Sequence, residues 1–343
     1  MDNMTKPILT IAIPTFNRAN FLEKNLNLLA QQQHESTAIL VSDNDSTDDT
    51  HKVVERFKKV IPNLTYHRNE ENIGFDGNII KLYELSRTPY IWFLSDDDPI
   101  EAGAVKAVVG ALRQYKPTVA LFRNSHMDEL TGTKKMPGRR DQKLRVFEDF
   151  DGDDSYIALL STMFISVLVV QKNPDISPKD LDQYSGYGDI HMTLSLLLLE
   201  KKFRFCLFDS VIVLHRQGRV YHNDLVSHCI TNVFCAVNLP ELGLDIERLK
   251  QLIFSRGYRC MGKIVLSTKL GRDVVTVPTK PRRMLDLYSL FGISSLWGIS
   301  FLIACLLSPA PIVKLLYLSR YIYRFGLKQG IEVFRNAQVA QRL

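Results

Sequence analysis

Four apolar runs, ILTIAIPTF (8–16), AILVSD (38–43), LTYHRN (64–69) and YIWFLS (90–95), alternate with three stretches of helical apolar spacing. The helical stretches are FLEKNLNLLAQQQ (21–33), THKVVERFKKV (50–60) and GNIIKLYELS (77–86). Short strands separated by helices of about ten residues predict a parallel, doubly wound α/β sheet. YIWFL has no polar alternation and reads as a strand buried on both faces. A fourth helix, EAGAVKAVVGALRQY (101–115), follows it. Beyond lie strands at 118–124 and 163–172, a helix at 189–202 and one or two strands at 203–218, around a less regular polar stretch at 125–155.

The fourth apolar run ends directly in Asp96, Asp97, Asp98 and Pro99. Such an ending puts three carboxylates at the C-terminal edge of the sheet, where open α/β folds bind their ligands. Adjacent carboxylates repel one another and lose hydration unless a positive partner joins them. An oxygen-rich cluster there suits Mg²⁺ or Mn²⁺ shared with a substrate diphosphate. The plain alternative is an Asp-rich turn capping the helix at 101–115.

Composition removes several function classes. The five cysteines, at 206, 229, 235, 260 and 305, contain no CxxC pair, so neither a disulfide framework nor a zinc site is indicated. The first sixteen residues have too short an apolar run and too early a proline for a secretory signal, which makes a reducing cytoplasmic setting the default. The net charge of +6 is uneven: from Val226 onward 16 Lys and Arg face 6 Asp and Glu. That basic third also holds the 27-residue stretch 287–313 without a charge, flanked by Arg282, Arg283, Lys314, Arg320 and Arg324 and by tyrosines. Serines, glycines, Pro309 and Pro311 interrupt it, so a segment lying in or dipping into an anionic leaflet fits better than a simple span. A nucleic-acid partner does not fit a tail this apolar.

Three loops accompany the acids. Pro14, Thr15, Asn17 and Arg18 form a PTFNR turn after the first strand, able to offer backbone N–H groups to a nucleotide. After the second strand comes SDNDSTDDT (42–50), in which Ser46 with Asp49 has capping-box spacing for the next helix. Asp43 precedes that cap, and its carboxylate can accept from the N–H of a pyrimidine ring. NEENIGFDGN (69–78) adds a glycine turn, with Gly74 allowing close backbone approach and Asn78 closing the segment.

PTFNR, SDNDSTDDT, NEENIGFDGN and the strand-borne SDDD, in this order over residues 8–100, resemble glycosyltransferase family 2. Its members are inverting nucleotide-sugar transferases of Rossmann-like GT-A fold, with a mostly parallel sheet flanked by helices. The resemblance implies that Asp43 contacts the nucleotide base and that Pro14, Thr15, Asn17, Arg18, Gly74 and Asn78 line the nucleotide-sugar pocket. It implies that Asp96, Asp97 and Asp98 meet the diphosphate and metal, with Asp98 and Asp96 as metal ligands. It also implies a general base at a helix start in the second half, where Asp189 stands; Asp151, Asp153 and Asp154, in a run read as solvated, are rivals. A histidine after the last strand often completes the metal site, and His215 and His222 are the candidates. Asn44 and Asp45 replace the family's usual Asp-Gly, so a non-glycine residue must tolerate that turn.

The expected organisation is a GT-A domain over 1–225 (nucleotide half 1–115, acceptor half 116–225) and a basic helical region over 226–343 that associates with the membrane through 284–325. The expected function is a Mg²⁺- or Mn²⁺-dependent transfer from a nucleotide-diphosphate sugar donor to a lipid-linked, prenyl-diphosphate oligosaccharide acceptor. That reaction would sit at the cytoplasmic face of the bacterial inner membrane, in O-antigen or capsule assembly. The YIWFLSDDD form resembles the abequosyltransferase-like branch, which adds a dideoxyhexose. The alternative is a non-catalytic nucleotide-sugar-binding scaffold of a membrane polysaccharide assembly.

Overall fold

The computed structural model describes residues 6–32, 34–128, 133–138, 142–185, 190–199 and 202–217, together with Asp245 and Arg248. By internal contact the chain divides into two compact units, 1–219 with 231–246 and 220–230 with 247–343. The described residues other than Arg248 lie in the first. The attachment segment expected at 284–325 lies outside the described residues. Among the described residues no helix is long and apolar enough to cross a membrane.

The first half follows the predicted alternation. β1 (Leu9–Thr15), β2 (Thr37–Asp43), β3 (Leu64–Arg68) and β4 (Tyr90–Phe93) are parallel and stand in the order β3-β2-β1-β4. α1 (Ala19–Ala30), α2 (Thr50–Lys58) and α3 (Gly74–Leu85) make the crossovers. Their apolar stripes face the sheet, as Leu22, Leu26 and Leu29 of α1 do. Ile11, Ile13, Trp92 and Phe93 are wholly buried, which is why β1 and β4 read as continuous apolar runs.

The second half is more mixed. α4 (Ala104–Tyr115) leads into β5 (Val119–Asp128), followed by β6 (Lys134–Lys135) and β7 (Leu144–Phe147). α5 (Asp153–Leu160) and two 3-10 turns precede β8 (Leu168–Gln171); α6 (Pro178–Asp182), α7 (Ile190–Leu198) and β9 (Phe205–Gln217) complete the unit. β8 runs antiparallel between β4 and β5, while β9 is parallel to β5. The apolar run 163–172 is thus divided, turn up to Val167 and extended only over Leu168–Gln171. Asp153 and Asp154, expected in a solvated loop, open α5, where acids favour the helix dipole.

The connections define where a ligand can sit. From β1 the chain winds outward through β2 and β3, then returns to the other side of β1 as β4. In open α/β sheets such a reversal between neighbouring strands is where a ligand crevice forms, beyond their C-terminal ends.

Candidate active site

The acidic turn occupies this crevice. The last ladder bond of the parallel half, Leu94 N–H to the Ala12 carbonyl at 2.9 Å, precedes Ser95. After it the chain leaves the sheet with Asp96, Asp97 and Asp98 at 3%, 4% and 2% exposure, so all three carboxyls are withdrawn from water. Thr15, at the end of β1, donates its hydroxyl to Asp96 Oδ2 at 2.7 Å. Arg18 spans two acids, donating from one guanidinium nitrogen to Asp96 Oδ1 at 3.2 Å and Asp97 Oδ2 at 3.0 Å. The Arg18 side chain is 42% exposed, far more than the acids it joins.

One guanidinium does not offset so much buried charge. Burial pushes Asp96 up to about 7, against the pull of Arg18 and with the push of Asp97. Burial also raises Asp98, partly offset by His215 and Ser166. The Ser166 hydroxyl donates to Asp98 Oδ2 at 2.6 Å, and His215 Nδ1 lies 3.6 Å from Asp98 Oδ1. Among the described residues that buried Oδ1 has no hydrogen-bond partner. An orphaned carboxylate oxygen facing an imidazole nitrogen fits a divalent cation, for which O and N donors are suitable ligands. Asp96 by contrast has both oxygens engaged. Among the described residues no three His, Cys, Asp or Glu side chains converge as a complete ligand set.

The loops after β1, β2 and β3 interlock beside the acids. Ser46, expected to cap α2, does not; its Oγ accepts from the Asn17 N–H at 2.8 Å, and Asn17 Oδ1 accepts from the Thr47 N–H at 2.7 Å. Asp48 takes the capping work on both sides, accepting from Thr50 N–H at 3.0 Å and from Ala19 N–H, at the start of α1, at 2.9 Å. Burial opposes its ionisation, but these bonds and the Thr50 hydroxyl hold its carboxyl below the usual range. Asn17 (φ 51°) and Asp45 (φ 66°) both adopt the left-handed conformation, which Asn and Asp bear better than other side chains.

Asp43 is fully buried, and both its oxygens are engaged: Oδ1 by the Ser46 N–H at 2.9 Å, Oδ2 by the Tyr66 hydroxyl at 2.5 Å. Asn78 is likewise buried, donating to the Ser42 carbonyl at 3.0 Å and accepting from Asn69 at 3.2 Å. Asn44 ties the group together. Its amide donates to Asn72 Oδ1 at 2.7 Å and the Gly74 carbonyl at 3.1 Å, and accepts from Asn69 and the Ile73 N–H at 3.0 Å each. Gly74 sits at φ +75° with open space where a Cβ would stand, so the backbone angle is what calls for glycine there.

In the second half, His215 lies on β9 beside its register partner His126 on β5, their rings 5.7 Å apart and nearly perpendicular. Burial, and then His215 and Lys135, lower the His126 pKa, favouring its neutral form. Asp76 of α3 accepts from the Ile190 N–H at 3.2 Å, anchoring the first residue of α7. Asp189 and His222 lie outside the described residues. Several contacts had no local signal. Tyr66, Ser166 and Asn25 reach the site across 23, 68 and about 70 residues of chain, respectively. Only the buried-face position of Asn25 among leucines hinted at such a role.

Residues 10–168 match the model of the family described as glycosyl transferase family 2. A Campylobacter jejuni protein named GalNAc(5)-diNAcBac-PP-undecaprenol beta-1,3-glucosyltransferase is 33% identical over 104 residues, covering 30% of this chain and 34% of that protein. Abequosyltransferase RfbV of Salmonella typhimurium is 32% identical over 97 residues, covering 27% and 29%. The similarity thus spans about a third of these curated relatives' length. The structure of Staphylococcus aureus TarS 1–349 in complex with UDP-GlcNAc aligns with a TM-score of 0.56 at 15% identity, covering 97% of this chain and 91% of that one, which places both in one fold.

Proposed function

Because residues 10–168 belong to glycosyltransferase family 2, we propose that the chain moves a sugar from a nucleotide-diphosphate donor to a hydroxyl of a lipid-linked oligosaccharide. The observation that carries this reading is the acid cluster at the β1/β4 crevice. Three buried carboxyls, two of them on one arginine and the third beside His215, cost the fold several kcal/mol unless a cation joins them. A scaffold has no use for that arrangement. Asp98 and His215, with Asp96, would hold Mg²⁺ or Mn²⁺, which when bound offsets charge growing on the leaving diphosphate.

The residues divide the remaining work. Arg18, anchored on Asp96 and Asp97 and partly exposed, is the cation that would meet a phosphate oxygen of the donor. Asp43, with Pro14, Thr15, Asn17 and the Gly74–Asn78 segment, forms the nucleotide side. Asp189, directly before the anchored start of α7, takes the acceptor's proton as its oxygen bonds the anomeric carbon. The anomeric carbon–oxygen bond to the diphosphate breaks, and the nucleoside diphosphate leaves.

The acceptor class is supported by the Campylobacter relative, whose name specifies a PP-undecaprenol substrate. The basic, uncharged-cored tail at 226–343 fits a chain that works against an anionic membrane surface, the cytoplasmic face of a bacterial inner membrane. A dideoxyhexose donor, such as one carrying abequose, is the narrower reading that the Salmonella relative supports.

The test is donor hydrolysis by the full chain with Mg²⁺ or Mn²⁺ and UDP-, CDP-, GDP- and dTDP-sugars, with and without vesicles carrying prenyl-diphosphate oligosaccharide. Metal-dependent release from one donor, absent in Asp98→Asn, is expected. No release in either setting, with no metal-linked nucleotide binding by calorimetry, would exclude a transferase.

A further inference from the structure

We propose that Asn25 and Ser166 are positioning residues that clamp the acidic turn from two sides and so set its affinity for the metal and diphosphate. The inference rests on the transferase reading, since it assigns a role within that site. Once β4 ends, the carbonyls of the turn have no strand partner, yet they are turned inward because the three carboxyls occupy the crevice. Asn25 answers them. From the core face of α1 its Nδ2 donates to the carbonyls of Ser95, Asp96 and Asp98 at 3.0, 3.1 and 3.1 Å. An amide nitrogen has two hydrogens, so at least one is shared between carbonyls and the turn is gripped at three points.

Apolar packing alone does not call for an amide at this position. Asn25 is 1% exposed, in a helix face otherwise made of Leu22, Leu26 and Leu29. Its Oδ1 is buried with no hydrogen-bond partner among the described residues. A leucine would suit the apolar packing of that face and bury no unpaired amide oxygen, but it would leave the three turn carbonyls without their donor. What the amide supplies is donors at the back of the turn.

Ser166 works from the opposite side, in the 3-10 turn before β8. Its Oγ accepts from the Ser95 N–H at 3.0 Å and donates to Asp98 Oδ2 at 2.6 Å. One atom therefore ties the turn's entry to its last carboxylate and leaves Oδ1 facing His215. Ser166 is itself held, its carbonyl accepting from Trp92 Nε1 at 2.8 Å. Neither residue faces the reacting sugar in this assignment; both act through the acids.

Calorimetry of the full chain with UDP, CDP, GDP and dTDP in the presence of Mn²⁺ tests this, comparing wild type with Asn25→Ala and Ser166→Ala. Thr10→Val is the stability control, because it breaks the buried 2.7 Å hydrogen bond to Thr88 within the same sheet, at the end of β1 away from Thr15. Metal-linked nucleotide affinity is expected to fall about 10- to 100-fold in both clamp variants. Thr10→Val should melt earlier yet bind as the wild type does. Wild-type affinity in Asn25→Ala and Ser166→Ala, or an equal loss in Thr10→Val, would overturn the clamp while leaving the transferase reading intact. If Asn25→Ala does not fold, Ser166→Ala, which deletes one atom, decides the matter alone. No binding by the wild-type chain would overturn the transferase reading, and the clamp with it.

Discussion

Thr15 Oγ1 and Asp96 Oδ2, 81 residues apart in sequence, meet at 2.7 Å across the ends of β1 and β4. This contact joins the loop after β1 to the acidic turn after β4. It also helps keep Asp96 in an ionisable setting despite burial that pushes its pKa up to about 7.

That raised pKa reverses the usual effect of pH on a carboxylate. Between about 4 and 7 the folded chain holds a proton on Asp96 that the unfolded chain has released, so stability falls as pH rises through this window. Wild type minus Asp96→Asn, measured by denaturant unfolding in EDTA, should show a loss of the order of a few kcal/mol from pH 4 to 7.5. A flat difference would mean that Asp96 titrates normally. Mn²⁺ should cancel the loss by stabilising the ionised form.

In the proposed site, Asp98 Oδ1 is the atom that would meet the cation. Asp98→Asn keeps an acceptor for Ser166 but removes the charge, so turnover should fall by more than about a hundredfold. Thermal stability in EDTA should hold or rise, because a buried, poorly compensated carboxyl has gone. A variant that turns over normally would remove Asp98 from the metal site.

Asn44 and Asp45 should respond oppositely to restoration of the family's Asp-Gly pair. Asn44→Asp places a carboxylate against Asn72 Oδ1 and the Gly74 carbonyl in place of two donated bonds, costing about 1–3 kcal/mol. Asp45→Gly relieves a φ of 66° and gives up only an exposed ion pair with Arg68, so stability should stay within about 1 kcal/mol. Thermal melting of the two single variants checks the contrast, and equal costs would refute it.

Tyr66→Phe should cost about 1–2 kcal/mol by stripping Asp43 of its donor. Burial and the Asp43 carboxylate raise the phenol's pKa, so Tyr66 remains a donor throughout the physiological range. Nucleotide affinity should fall with stability if Asp43 serves the base. Unfolding and calorimetry on the same preparation separate the two effects.

Much of this was legible along the chain, for identifiable reasons. Runs such as ILTIAIPTF and the leucine spacing of α1 carry their own periodicity, and β1 to β4 formed where that periodicity placed them. Asp96, Asp97 and Asp98 were conspicuous because three acids ending an apolar strand have few structural uses. Ser46 shows the opposite case. Its spacing to Asp49 matched a cap, but the loops after β1 and β2 abut, and its Oγ accepts from the Asn17 N–H instead. The antiparallel β8 was also hidden, since strand direction leaves no mark on apolar content.

The sequence alone determined the parallel half-sheet and the sheet edge that carries the three acids, because hydrophobic period and local charge are properties of neighbours in the chain. Tertiary structure decided which acid keeps an open oxygen, which carboxyls lose their hydration, and that Asn25, Tyr66 and Ser166 hold the site together. Those outcomes depend on burial and on hydrogen bonds reaching from 23 to about 70 residues along the chain, and they exist only once the sheet has brought the strand ends side by side.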